Sequence, residues 1–284
     1  MITGRTRVFA LVGHPIRHSL SPAMHNELFR RLGIDAVYVA LDAPPERAAL
    51  VGQSIRALGL AGCNLTVPFK EAVLPSLDVL TESAECAGAV NVVVAEGGRL
   101  VGHNTDGAGY LAALREELRV DVAGRRCAVL GAGGTGRAVA AALAGAGCEE
   151  VCLFNRTLGR AEAAVAALAP RFPRVRFRAA PLDAAAFAAA PWTLVVNCLS
   201  GPGLKCLEGF SVSHLPSGAD GAVWTDANYW LSDPPLLAAC AAHGVRIQRG
   251  IGMLMHQGGR SFELFSGRSV SADTIRGVLD IGGW

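Results

Sequence analysis

Short apolar runs alternate with amphipathic segments along the first hundred positions. "RVFALVG" at 7–13 reads as a buried strand, and "SPAMHNELFRRLG" predicts a helix with Ser21 as N-cap and Pro22 at the first helical position. "AVYVAL" predicts a second strand, "PERAALVGQSIRALG" a second helix and "GCNLTVP" a third strand, followed by a helix carrying Lys70. "AVNVVVAEGGRLVGHN" has the period-two alternation of a hairpin, turning at Glu96-Gly97-Gly98. This order favours a mostly parallel sheet with helices packed on it.

After "GAGYLAALREEL" the pattern restarts. "RCAVLGAGGTGRAVAAALAGAG" opens a second strand–helix series dense in Ala and Gly, and "EVCLFN", "VRFRA", "TLVVNC" and "GAVWTD" read as its later strands. The Ala-rich tracts at 161–169 and 184–190 read as ordinary helix, and no repeat is visible. The division falls near residue 105, giving domains 1–105 and 106–249. The segment "GIGMLMHQGGRSFELFSG" is helical again; periodicity alone does not say where it packs.

Composition narrows the classes. The 284 residues are 51% hydrophobic with a net charge of +2, acids and bases interspersed, which speaks against disorder, nucleic-acid binding and an anionic membrane surface. The first apolar run is too short for a secretory signal and none spans a bilayer, so a soluble, cytoplasmic chain is expected. Cys63, Cys86, Cys127, Cys148, Cys152, Cys198, Cys206 and Cys240 include no C-x-x-C pair, so reduced thiols are expected. His14, His18 and His25 lack the Cys or carboxylate partners of a zinc site, and no metal is expected. His18 and His25 read as packing or surface residues; His214 and His243 have no assignment.

"LGAGGTGRA" supplies G-x-G-x-x-G through Gly131, Gly133 and Gly136, directly after a strand and opening a helix. That context turns a weak pattern into a dinucleotide site: glycines permit a tight turn, and the helix N-terminus faces the pyrophosphate. The next strand ends in "FNRTLGR". An acid there would bind the ribose 2′-hydroxyl of NAD; this chain has Asn155 and Arg156, with Arg160 one turn on, favouring the 2′-phosphate of NADP. Thr157 also reads as the next helix's N-cap.

Hydride transfer then requires a polar substrate and a proton donor. Ser19 and Ser21 lie just ahead of a helix, where hydroxyls and free amides suit a carboxylate. Asn64 and Thr66 lie near a strand end, and Asn91 interrupts an apolar strand. In "CNLTVPFKE", Lys70 occupies the first helical turn, the wrong end for a cation. The dipole disfavours its charged form, and Asp106 of "HNTDG", beside Asn104 and Thr105, offers a carboxylate to orient it. The pair reads as a proton-exchange site.

Together these residues resemble the shikimate dehydrogenase family, NADP-dependent enzymes reducing 3-dehydroshikimate to shikimate. The similarity runs through "GHPIRHSLSPAMHN", "CNLTVPFKE", "GAVN", "NTDG", "GAGGTGRA", "NRT" and "GIGMLMHQGGRSFEL". It implies an α/β substrate domain completed by 250–284, a Rossmann-like doubly wound NADP domain, and a C-terminal helix returning to the first domain. Carried over by position, Lys70 and Asp106 would be catalytic. Ser19 and Ser21 would bind the substrate carboxylate; Thr66, Asn91 and Gln257 would contact ring hydroxyls; Tyr229 would line the cleft. Gly131, Gly133, Gly134, Gly136, Asn155, Arg156, Thr157 and Arg160 would hold the cofactor, with Gly250 near the nicotinamide.

Four departures stand out. "NCLSGPG" replaces Asn-Ala-Thr-(Ser/Pro)-x-Gly-Met, "YWLSDPPLL" substitutes Leu231 and Pro234, Val92 replaces Thr, and His14 stands where Asn is frequent. A quinate/shikimate or aminoshikimate-type dehydrogenase is therefore the close rival, and a non-catalytic NADP-binding sensor the rival of another class. A monomer or homodimer is expected.

Overall fold

The computed structural model describes residues 2–210, 218, 221–230 and 235–281; His214, Leu231 and Pro234 lie outside them. The chain divides into two compact units, Met1–Gly109 with Met255–Trp284, and Tyr110–Leu254.

In the first unit, β1 (Arg7–Gly13) leads to α1 (Ser21–Arg31), β2 (Ala36–Asp42), α2 (Val51–Ala57), β3 (Gly62–Leu65), α3 (Phe69–Ala72), β4 (Val79–Leu80), α4 (Glu82–Ala87), β5 (Val92–Glu96) and β6 (Arg99–His103). The sheet order is β2-β1-β3-β5-β6-β4. β1 lies parallel to β2 and β3, whereas β5 runs antiparallel to both β3 and β6. The β5–β6 pairing is the expected hairpin: Gly97 and Gly98 take φ of 56° and 78°, which reverses the chain between Glu96 and Arg99. In α1, Ser21, Met24, His25, Leu28 and Phe29 are buried, one apolar stripe with a turn-by-turn spacing.

Three local expectations change. Ser21 is the first helical residue and makes no side-chain cap; instead Ser19 Oγ accepts the Ser21 N–H at 3.2 Å. The second expected helix is a 3-10 turn, Pro45–Leu50, running into α2. The helix carrying Lys70 is a single four-residue turn followed by another 3-10 turn, so its dipole is small.

α5 (Asp106–Leu118) begins in the first unit and from Tyr110 onward belongs to the second, where it precedes β7 (Arg126–Leu130), α6 (Gly134–Gly145), β8 (Glu150–Asn155), α7 (Leu158–Leu168), β9 (Arg176–Pro181), α8 (Ala184–Ala188), β10 (Leu194–Asn197), β11 (Val223–Asp226), α9 (Pro235–Ala242) and β12 (Arg246–Gln248). The strands are all parallel in the order β12-β11-β10-β7-β8-β9, a doubly wound sheet whose winding reverses between β7 and β10. Its core packs Phe154, Phe187, Trp192 and Trp224. β12 has no strong apolar signal and goes unforeseen in the sequence. Glu150, fully buried at the start of β8, accepts from Arg126 at 3.0 Å and Arg178 at 3.3 Å on the flanking strands.

α10 (Ile251–Ser266) and α11 (Ala272–Ile281) close the chain. From Met255 onward they belong to the first unit, where Phe265 lies 4.7 Å from the Phe9 ring and Phe262 5.4 Å from Phe29. None of the eight cysteines is joined in a disulfide. Among the described residues no helix is long and apolar enough to cross a membrane, and no group of three or more His, Cys, Asp or Glu is arranged to hold a metal ion.

Candidate active site

In the first unit, the turn after β3 and the start of α5 bring Lys70 Nζ to 2.5 Å from Asp106 Oδ2. Their side chains are only 12% and 5% exposed, so the pair is largely shielded from water. Asn91, at the entrance to β5, donates to Asp106 Oδ1 at 2.8 Å and to Thr105 Oγ1 at 2.9 Å. Its side-chain carbonyl accepts the Thr105 N–H at 2.8 Å, which fixes the amide's orientation. Asn104 Oδ1 accepts the Asp106 N–H at 3.0 Å, an Asx turn that starts α5. Asp106 is thus set by three neighbours, with Lys70 on one oxygen and Asn91 on the other. Gln257 of α10 stands 3.4 Å from Asn91 Nδ2.

Asn64 is not at the surface of this cluster. It is buried, accepts from Tyr38 Oη at 2.8 Å and donates to the Asn91 main-chain carbonyl and to Ser261 Oγ, tying β2, β3 and α10 together. Thr66 sits one residue past β3, half-buried, its N–H on the Val12 carbonyl. Ser19 is half-buried and Ser21 buried at the start of α1. Tyr229 belongs to the second unit, edge-on to Trp230 at 5.1 Å.

The second unit carries a phosphate cradle. Gly131 has φ of 105°, a conformation that side chains rarely take, and a Cβ on Gly136 would collide with the Gly131 carbonyl. A Cβ on Gly133 would meet nothing within 4 Å, so the N-terminus of α6, which begins at Gly134, is open to a ligand. Asn155 Oδ1 accepts the Ala132 N–H at 3.1 Å and its amide donates to the Thr157 carbonyl at 2.9 Å. Asn155 therefore shapes the glycine turn. Thr157 is the N-cap of α7 but makes no side-chain capping bond, and Arg156 and Arg160 are exposed beyond the end of β8. Gly250 is needed for packing: a Cβ there would lie 2.6 Å from the Ala227 carbonyl oxygen and 2.7 Å from the Asn228 carbonyl carbon. These features fit a dinucleotide with an extra phosphate.

A further polar group, not foreseen in the sequence, lies at the ends of β10 and β11: Asn197, Asp226 and Asn228, all buried. Its signal was available, since each polar residue ends or follows an apolar strand.

A family model described as shikimate dehydrogenase substrate binding domain matches residues 11–93, and one described as shikimate / quinate 5-dehydrogenase matches 113–204. Shikimate dehydrogenase (NADP(+)) of Geobacter sulfurreducens is 42% identical over 93% of both chains. The chain belongs to the shikimate dehydrogenase family. The shikimate dehydrogenase structure from Thermus thermophilus, solved with NADP(H) and shikimate, superposes with a TM-score of 0.81 at 35% identity, covering 97% of this chain and 99% of that one. Quinate dehydrogenase from Corynebacterium glutamicum, solved with NAD, gives 0.80 at 29% identity over 96% and 98%. As a family member, the chain keeps Asn197 at the head of its altered "NCLSGPG" segment, which runs into a 3-10 turn at Gly201–Leu207.

Proposed function

We propose that this chain catalyses the reversible, NADP-dependent reduction of 3-dehydroshikimate to shikimate, in the cytoplasm, with the first unit holding the substrate and the second the cofactor. The observation that carries this reading is the shielded Lys70–Asp106 pair, braced by Asn91. When bound, the cofactor supplies the hydride. Lys70 delivers the proton to the oxygen that becomes negative as the ketone is reduced; Asp106 holds and orients the ammonium, and Asn91 holds Asp106. Ser19 and Ser21 take the carboxylate, and Thr66, Asn91, Gln257 and Tyr229 the ring hydroxyls and the wall beside them. Around the cofactor, Gly131, Gly133, Gly134 and Gly136 receive the pyrophosphate, while Arg156, Thr157 and Arg160 meet the 2′-phosphate on the turn that Asn155 shapes. Gly250 lies toward the nicotinamide.

Steady-state oxidation of shikimate and of quinate, each with NADP and NAD, tests the reading. Shikimate with NADP is expected to give the highest kcat/KM; absence of shikimate-dependent NADPH formation would remove the proposal. A quinate preference is the second reading, favoured by the likeness to the Corynebacterium enzyme and read directly from the same assay. The intact Lys70–Asp106 pair weighs against a non-catalytic sensor.

A further inference from the structure

Asp226 ends β11 with 6% of its surface exposed, and its contacts are all with donors. Asn197 Nδ2 reaches Oδ2 at 2.8 Å; the Asn228 N–H and Nδ2 reach Oδ1 at 2.7 and 2.6 Å. The two amides have no freedom to turn. Asn197 Oδ1 accepts the Leu199 N–H at 3.1 Å, and Asn228 Nδ2 also donates to the Leu199 carbonyl at 3.0 Å, so main-chain partners fix which end faces the acid. A protonated acid would need an acceptor for its own hydrogen, and the group provides none. Asp226 is therefore an anion. Burial pushes its pKa up, and only neutral amide donors oppose the shift. None of the ion pairs among the described residues includes it. A buried charge ordinarily has a counter-charge.

The sheet shows where one would come from. The pyrophosphate cradle follows β7, and Arg156 follows β8, on one side of it. A dinucleotide whose phosphate-bearing ribose reaches over β8 sends its other half the opposite way, over β10 and β11. Asn197 and Asp226 end those two strands. Resting on the NADP reading above, we infer that Asp226 is the counter-charge of the oxidised nicotinamide, so that the protein binds NADP+ in preference to NADPH. Asn197 and Asn228 are positioning residues: they hold the carboxylate ionised and tie it to the Leu199 turn. By linkage, the bound couple is harder to reduce than the free one.

The two redox forms share their adenosine, pyrophosphate and 2′-phosphate, so the ratio of their dissociation constants isolates the ring. Titration calorimetry of the wild-type protein without substrate should show NADP+ bound more tightly than NADPH. Asp226→Asn should lower that preference about tenfold, the scale of one charge acting through a partly polar interior. A 2′-phosphorylated ADP, which has no ring, should bind both proteins alike and shows that the variant's cradle is intact. A wild-type protein favouring NADPH, or a variant with a folded cradle and an unchanged ratio, overturns the inference. Should the variant fail to fold, the wild-type preference decides. A wild-type protein binding neither form would instead remove the NADP reading itself.

Discussion

Lys70 and Asp106 approach within 2.5 Å from segments 36 positions apart, and Asn91 links that pair to α10. Lys70→Ala is expected to reduce kcat by about 10²–10⁴-fold while NADP binding, measured by calorimetry, persists. Asn91→Ala should lower kcat less, with Asp106 still present but unbraced. The sequence marks Lys70 as a cation out of place, yet the helix that makes it so is one turn long; the carboxylate, more than the dipole, defines its setting. What the sequence cannot give is the bracing by Asn91, because that depends on how β5 registers against β3 and β6. His25 makes a second case. It is enclosed by Tyr38, stacked at 4.4 Å, and by Phe29, Phe262 and Phe265, and burial lowers its pKa to about 3. The folded protein resists the proton that the unfolded chain accepts near pH 6.5, so His25 contributes stability above that pH. The contribution is lost as pH falls from about 6.5 toward 3, at about 1.4 kcal/mol per unit. Urea midpoints measured between pH 7.5 and 5 should fall steeply for the wild type and less steeply for His25→Phe.

At the scale of elements, the strand–turn–helix of β7 and α6 was legible because a cradle of this kind requires glycine at fixed places. Gly136→Ala would drive its methyl into the Gly131 carbonyl and should abolish NADP binding in an equilibrium titration. The end of β8 was legible for the opposite reason, the lack of an acid. Arg156→Asp should raise the KM for NADP by tens of fold and leave that for NAD far less affected. Less visible were the Asn197–Asp226–Asn228 group and the use of Asn155 as a brace. In both cases the side chains bond to main chain on neighbouring loops, and those loops meet only after the sheet has formed. Ser21 shows the same limit at short range, since Ser19 provides the hydroxyl that its position suggested.

For the molecule as a whole, the alternation of strand with helix in the sequence points to the α/β class, and the structure has two parallel-dominated sheets with helices between their strands. The antiparallel pairing of β5 with β3 and the short strands β4 and β12 are what that description omits. The last helices have a clear weight: a chain truncated after Leu254 loses Ser261, Phe262 and Phe265, and should show broadened amide and methyl resonances for residues 7–42 while the second unit still binds NADP. This threading sets an order of events at the ribosome. Phe9, Phe29 and Tyr38 emerge early, yet the rings that cover them are translated only after the whole of the other unit, so the earliest-made sheet is the last to be finished.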